Sequence, residues 1–528
     1  MKEVNGLPDN WVRVPLGELG DWYGGGTPSK ANDKFWSNGK VPWFSPKDMK
    51  AFRLQSSEDR ITRAAVDGSS VSVFPPDTVL MVVRSGILAH TFPVAVAGVE
   101  ATMNQDLKGV APEDGIDATY LAYALRSSGR DILNQCSKAG TTVASIDTLA
   151  LHRYSIPLAP TKEQQRVVEK LDELLSDLDA GVAALERARA NLKRYRAAVL
   201  KAAVEGRRTE KWRAAHPDAE PAEKLVERIL VERRKKWEEA QLRKFAEKGQ
   251  SAPKGWKDRY PEPARPDVAS LPTLPKGWCW ATVGQLVGRS EYGTSIKCGY
   301  DAHHEPVLRI PNIAGGRIDL TDIKRATVSL KLSAEDALQP GDLLVCRTNG
   351  SVKLVGKAAL LEGVLEPLHS FASYLLRLRF VLGVDVARWV WLLLTSQPGR
   401  SFIEAHAASS AGQHNVSLSL LHGMPVPLAS IDEQRVVSAE VDRLLSVQEI
   451  ATRDTELRLR HAGVLRQSIL KRAFEGKLVP QDPKDEPAGE LLARIRASRV
   501  VAVKDGSGIR KKIRLKMSES VKNWLSNK

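Results

Sequence analysis

The chain has 528 residues, of which 42% are apolar and 27% charged, the composition of a protein that buries ordinary cores. At about 100–200 residues per domain, that length predicts three or four structural units. The longest apolar runs, Ala89 to Val99 and Ala387 to Leu394, are interrupted within about a dozen residues, short of the 18 or more that a membrane span needs. The start (Met1, Lys2, Glu3, Val4, Asn5) carries no signal-peptide pattern, so a cytoplasmic location without membrane attachment is expected. Lysine and arginine number 78 against 63 acidic residues, and the resulting +15 favours a polyanionic partner. Cys136, Cys279, Cys298 and Cys346 form no Cys-x-x-Cys pair, so neither a zinc site nor a disulfide framework is implied.

In chain order, residues 1–155 are rich in Val, Thr, Gly and Pro and punctuated every 8–12 residues, as mixed or mostly β structure should be, with Val79-Leu80-Met81-Val82-Val83 as an example. Residues 156–206 open on Pro160-Thr161, where Thr161 and Gln164 fit a capping box. Apolar positions then step by three and four through Val168, Leu171, Leu175, Leu178, Val182 and Leu185, the heptad seam of a coiled coil. A helix over this stretch would run about 65 Å, too long to bury its stripe in one small globule.

Residues 207–274 read as a charged helix, carrying Arg233-Arg234-Lys235-Lys236, followed by a proline-rich linker. Residues 275–425 return to strand-like patterning, as in Leu343-Leu344-Val345-Cys346. Residues 426–476 predict a second long helix, with Ser430 and Glu433 as its capping box and Val437, Val441 and Leu444 on its seam. Residues 477–528 form a helical segment and a tail whose Arg510, Lys511, Lys512, Arg514 and Lys516 make it basic.

These segments repeat. Residues 156–176 and 426–446 align without a gap at an offset of 270, with Pro157 on Pro427, Glu163 on Glu433 and Leu175 on Leu445. At an offset of 267, Pro8, Trp11, Gly17 and Leu19 fall on Pro275, Trp278, Gly284 and Leu286, and Gly26-Thr27 falls on Gly293-Thr294. The chain is a tandem duplication of one large unit. The expected fold is α+β: two similar globular domains joined by two long helices that form an antiparallel coiled coil in a pseudo-two-fold arrangement. Val168, Leu171, Leu175 and Leu178 are expected to face Val437, Val441 and Leu444.

Catalytic signatures are missing from the sequence. No Gly-x-x-x-x-Gly-Lys-Ser/Thr loop is present, and Phe74-Pro75-Pro76-Asp77 runs the wrong way for an amino-methyltransferase motif. Gly24-Gly25-Gly26 reads as a flexible turn rather than a phosphate cradle. His303-His304-Glu305 reads as a solvated loop rather than a metal site, because adjacent histidines in a strand point to opposite faces. His152 and His422 read as packing or capping residues. No catalytic or metal-binding residue is expected.

Two variable units, each followed by a Pro-Leu-x-x-x-x-Glu-Gln opening and a long helix ending in Glu-Gly, resemble the specificity subunit of type I restriction–modification enzymes. The starts (Pro8, Trp11, Gly17, Leu19; Pro275, Trp278, Gly284, Leu286), the Arg347-Thr348-Asn349-Gly350 turn and the Lys477-Leu478-Val479-Pro480-Gln481 exit fit the same family. The resemblance covers nearly the whole chain. It implies that residues 1–155 and 275–425 are target recognition domains, each reading one half of a bipartite double-stranded DNA sequence. It also implies that the helices of 156–206 and 426–476 are a spacer on which two methylation subunits dock, joined by restriction (translocase–nuclease) subunits. S-adenosylmethionine, ATP and Mg are then expected on those partners and no cofactor on this chain, which would be a non-catalytic subunit directing adenine methylation and restriction. Base reading needs bidentate donors, while lysines and hydroxyls position on phosphates. The candidates in turns after strands are Thr27, Ser29, Lys30, Arg84, Asn104 and Gln105 in the first domain. In the second they are Thr294, Lys297, Arg309, Arg347, Asn349 and His369. The competing reading is a non-enzymatic coiled-coil scaffold with a basic, nucleic-acid-binding surface.

Overall fold

A computed structural model describes residues 6–138, 143–410 and 412–504. The basic tail beyond Lys504 lies outside the described residues. Contacts divide the chain into two compact units, one drawn from residues 1–185 and 457–528, the other from Glu186–Glu456. Among the described residues no helix is long and apolar enough to cross a membrane.

In the first unit a five-stranded sheet runs in the order Gly20–Gly24, Leu107–Pro112, Val79–Val82, Val94–Ala97, Arg53–Leu54. Val79–Val82 is paired on both sides and buried at every position, which is why its sequence is unbroken apolar rather than alternating. A smaller sheet sets Val41–Phe44 between Asp59–Ile61 (antiparallel) and Thr102–Met103 (parallel). The second unit repeats this plan: Val287–Tyr292, Leu375–Phe380, Asp342–Cys346 and Ala358–Leu360 form the larger sheet. Pro306–Leu308 again lies between an antiparallel neighbour, Lys324–Ala326, and a parallel one, Ser370–Phe371. The duplication thus extends through domains whose sequences have diverged.

Each domain is tied to its helix in the same way. Val12–Pro15 pairs with Ser155–Leu158, and Cys279–Thr282 with Pro425–Leu428, so the first strand of each domain holds the chain leaving it. The buried Tyr120 hydroxyl donates to the Pro157 carbonyl at 3.1 Å, and the Trp389 indole donates to the Pro427 carbonyl at 2.8 Å. Both bonds end on the carbonyl of the proline in the Pro-Leu opening, and the leucines that follow, Leu158 and Leu428, are fully buried.

The long helices are Thr161–Val204 and Ile431–Phe474, each of 44 residues. In the first unit Val167, Leu171 and Leu175 share a core with Leu470, Ala473 and Phe474. There Arg466 pairs with Asp179, and Gln481 donates to Glu163 at 2.5 Å, so the two segments run antiparallel. In the second unit Val199, Leu200, Ala203 and Val204 share a core with Val437, Val441 and Leu445, and Thr209 donates to Glu433 at 2.5 Å. The expected pairing of Val168, Leu171, Leu175 and Leu178 with Val437, Val441 and Leu444 is therefore corrected: the two sets sit in separate cores. Antiparallel packing sets the start of one helix against the end of the other, and the heptad pattern names the buried face without naming its partner segment.

Gly206 (φ +70°) and Gly476 (φ +68°) end the helices in the left-handed conformation that favours glycine, the reason for the repeated Glu-Gly exit. The chain then returns to the start of a domain: the Ala222 amide donates to the Gly277 carbonyl, and the Ala488 amide to that of Asn10, both at 2.9 Å. Behind these bonds Ala222, Leu225 and Ile229 enter the second core, and Ala488, Leu491 and Ile495 the first. The stretch read as a linker is consequently strapped to the second unit, with Trp237 stacked on Trp256 at 5.8 Å and the Thr282 hydroxyl donating to the Ala264 carbonyl. The capping boxes are altered as well. Thr161 donates to the Gly115 carbonyl and Gln164 to that of Ala159, whereas Ser430 does accept the Glu433 amide.

Candidate nucleic-acid interface

The candidate surface of the first unit forms where the central strand Val79–Val82 ends. The Val83 amide donates to the Asp106 carbonyl and its own carbonyl accepts from the Ile146 amide, which brings three chain segments to one edge. Asn104 and Asp106 build the tight turn there: the Asp106 amide donates to Asn104 Oδ1 at 3.0 Å, and Asn104 Nδ2 to Asp106 Oδ2 at 3.1 Å. Gly25 passes so close that a Cβ would lie 1.6 Å from the Asn104 carbonyl oxygen. The triple glycine is a close-approach site rather than a flexible turn. This approach puts the Thr27 hydroxyl 2.5 Å from Gln105 Oε1. Arg84 donates through Nε to Asp106 at 2.6 Å. An open groove of about 910 Å³ lies beside them, lined by Arg84, Gln105, Lys108 and Lys138 among others.

The second unit builds the same corner with other side chains. The Arg347 amide donates to the Tyr374 carbonyl, and the Arg347 carbonyl accepts from the Val416 amide. By these bonds Arg347 is the counterpart of Val83, and Thr348 the counterpart of Arg84, so the two arginines hold adjacent rather than equivalent positions. The Gly-Thr alignment shifts too, because Thr294 donates to the Phe371 carbonyl as Gly26 does to that of Met103. The Arg347 guanidinium lies 4.5 Å over the Tyr292 ring. Thr348–Asn349 pairs with the hairpin strand Gln413–Asn415, and the Thr348 hydroxyl donates to Asn415 at 2.5 Å.

The structure thus gathers Thr27, Arg84, Asn104 and Gln105 at one corner, and Thr294, Arg347 and Asn349 at the equivalent one. Ser29 and Lys30 are exposed just beyond the first, where the Ser29 carbonyl accepts from the Trp36 indole. Lys297 is exposed in a loop whose backbone receives Thr327. Three candidates are engaged within the fold. His369 is 5% exposed with Nδ1 against the Pro367 carbonyl, and burial holds its imidazole below its ordinary pKa. Asn104 is 6% exposed and spends its amide on the turn. Arg309 is committed to the Asp322 carboxylate at 3.1 Å. Polar residue type alone cannot separate a groove residue from one that closes a loop.

Sequence reasoning missed Lys108 and Lys138 in the first groove, and Gln413, His414 and the 59%-exposed Tyr374 in the second corner. The paired histidines are supports: His152 stacks on Trp22 at 3.8 Å, and His422 Nε2 lies 3.0 Å from the Ser290 hydroxyl. A Cβ on Gly17 or Gly284 would press on the corresponding histidine, which explains that repeated glycine.

Residues 8–187 match the family model for the type I restriction modification DNA specificity domain. The EcoR124I/EcoR124II specificity subunit of Escherichia coli is 49% identical over 158 residues, which is 30% of this chain and 39% of that protein. The EcoKI specificity subunit of Escherichia coli strain K12 is 27% identical over 401 residues, 74% of each chain. A chain from the solved structure of a type I R-M system, described as the basis of its assembly and conformational transition, shares the fold with a TM-score of 0.59 at 16% identity. That match covers 89% of this chain and 99% of the other. The fold is that of two diverged copies of one α+β domain, each clasped to a long helix. Residues 8–187 carry that specificity domain, and over 74% of its length the chain is similar to a type I restriction enzyme specificity subunit.

Proposed function

We propose that the chain reads a bipartite double-stranded DNA target, one half-site per unit, and directs partner subunits to it. The observation that carries this reading is the repeated corner: the same backbone bonds after the central strand hold Arg84, Thr27 and Gln105 in one unit and Arg347, Thr348 and Asn349 in the other. Shared scaffolding with different donors suits two readers of different sequences. The net charge of +15 supplies the general attraction to phosphate.

The partners are two methylation subunits and restriction subunits, which would carry S-adenosylmethionine, ATP and Mg, leaving this chain without catalytic activity. Val168, Leu171, Leu175, Leu178, Val437, Val441 and Leu444 serve this assembly by keeping the helices in place, since most of them are buried. Outward-facing residues such as Val447 and Ile450, 62% and 69% exposed, offer apolar contact to a docked subunit. The test is binding of the purified full chain to a randomised duplex pool across a salt series, with methyl transfer and cleavage assayed alongside. Enrichment of two fixed blocks, without either reaction, is the expected result. Binding that enriches no sequence would favour a scaffold with incidental charge, and methyl transfer by the chain alone would end the non-catalytic reading.

A further inference from the structure

Within the first unit, we infer that Arg84, oriented by Asp106, reads a guanine in the half-site of that unit. This inference rests on the DNA-reading function proposed above and adds the base and the residue that selects it.

Three observations converge on it. Arg84 sits at the mouth of the groove, with a side chain 53% exposed. Its Nε is spent on Asp106 at 2.6 Å, which fixes the plane of the guanidinium, and among the described residues the two Nη groups remain as a parallel donor pair. Asp106 is itself held through Oδ2 by Asn104, whose amide is locked in the turn, so the fork stands on a buried support rather than on a mobile side chain. A planar pair of donors fixed in direction complements two adjacent acceptors, and in the major groove guanine presents that pair as N7 and O6.

The neighbouring donors fit other tasks. Lys108 and Lys138 are compact charges suited to flanking phosphates. Gln105 has one lone pair of its carbonyl oxygen engaged by Thr27, and its amide offers a donor–acceptor pair that suits adenine rather than guanine. Arg53, also in the first unit, is bound to Asp77 through Nη1 at 2.8 Å and so lacks a free fork. The support belongs to the first unit alone, because Tyr374 stands where Asp106 would fall and Thr348 where Arg84 would fall. The two units therefore differ in the base they favour at this point.

The test uses the full chain and a randomised duplex pool, with bound sequences read for wild type, Arg84→Ala, Arg84→Lys and Asp106→Asn. Wild type should enrich a G·C pair at one position of one block. Arg84→Ala and Arg84→Lys should each lower that preference about tenfold or more, with every other position unchanged. Asp106→Asn should weaken the guanine preference while overall affinity holds or rises, since it removes a negative charge from the groove; a fold defect would lower both. If Arg84→Lys keeps every base preference, or Arg84→Ala weakens binding uniformly, Arg84 is a phosphate contact and the inference is overturned. Failure of wild type to enrich any block would overturn the DNA-reading function, a result distinct from a motif that merely ignores Arg84.

Discussion

Residue-level contrasts between the copies show how one motif carries two energetic loads. Glu433 accepts from the Trp278 indole at 2.8 Å, from Thr209 and from Arg213, so its buried charge is matched. Glu163 is fully buried in the equivalent place, but Oε2 and the Trp11 indole nitrogen stop short of hydrogen-bond geometry. Burial, the largest influence, raises the Glu163 carboxyl above its ordinary 4.5. The folded chain then holds this proton more tightly than the unfolded one, so its contribution to stability falls as pH rises above about 4.5 through the raised value. Glu163→Gln should flatten that loss and leave melting at pH 8 unchanged or higher. Glu433→Gln should cost about 3 kcal/mol by stranding Arg213, whose side chain is only 16% exposed. Thermal melting of both variants at pH 5 and pH 8 checks the asymmetry, and equal losses would contradict it. The repeat made both glutamates visible in the sequence. Their unequal partners were not visible, because Arg213 and Gln481 come from segments outside the aligned stretch.

At the scale of elements, the helices and the domain starts were legible because their constraints are local: heptad spacing, Pro-Leu openings and terminal glycines. The helix register was not legible, because periodicity fixes a face and leaves the partner open. The corners were half legible. Glycine and polar turns pointed to them, yet the one-residue slip between Arg84 and Arg347 depends on backbone pairing with Asp106 and Tyr374 that lies far off in sequence. Two substitutions test the packing. Leu175→Asp places a charge in the first core, where Leu175 is 5% exposed, and should cost several kcal/mol. Val447→Asp lies on the open face of the second helix, 62% exposed, and should leave melting within about 0.5 kcal/mol of wild type. Gly25→Ala should also destabilise the first corner and weaken DNA binding, since the Asn104 carbonyl occupies the space of a Cβ. Calorimetry and a gel shift read these outcomes.

For the whole molecule, each unit is assembled from a domain, the start of its own helix and the end of the other helix. A grafted domain must therefore keep the anchors that meet those helices, Trp11 and Tyr120 in the first unit. One heptad inserted after Ala184 and another after Glu456 would lengthen both helices by about 10 Å. The gap between half-sites should then grow by about three base pairs, with the bases read unchanged. The most direct test of the central claim is to map methylated adenines in cells carrying the chain with residues 8–155 exchanged for another specificity subunit's domain. Two readers, one per unit, require that one half-site change while the other half-site and the gap persist. Alteration of both halves would contradict the account.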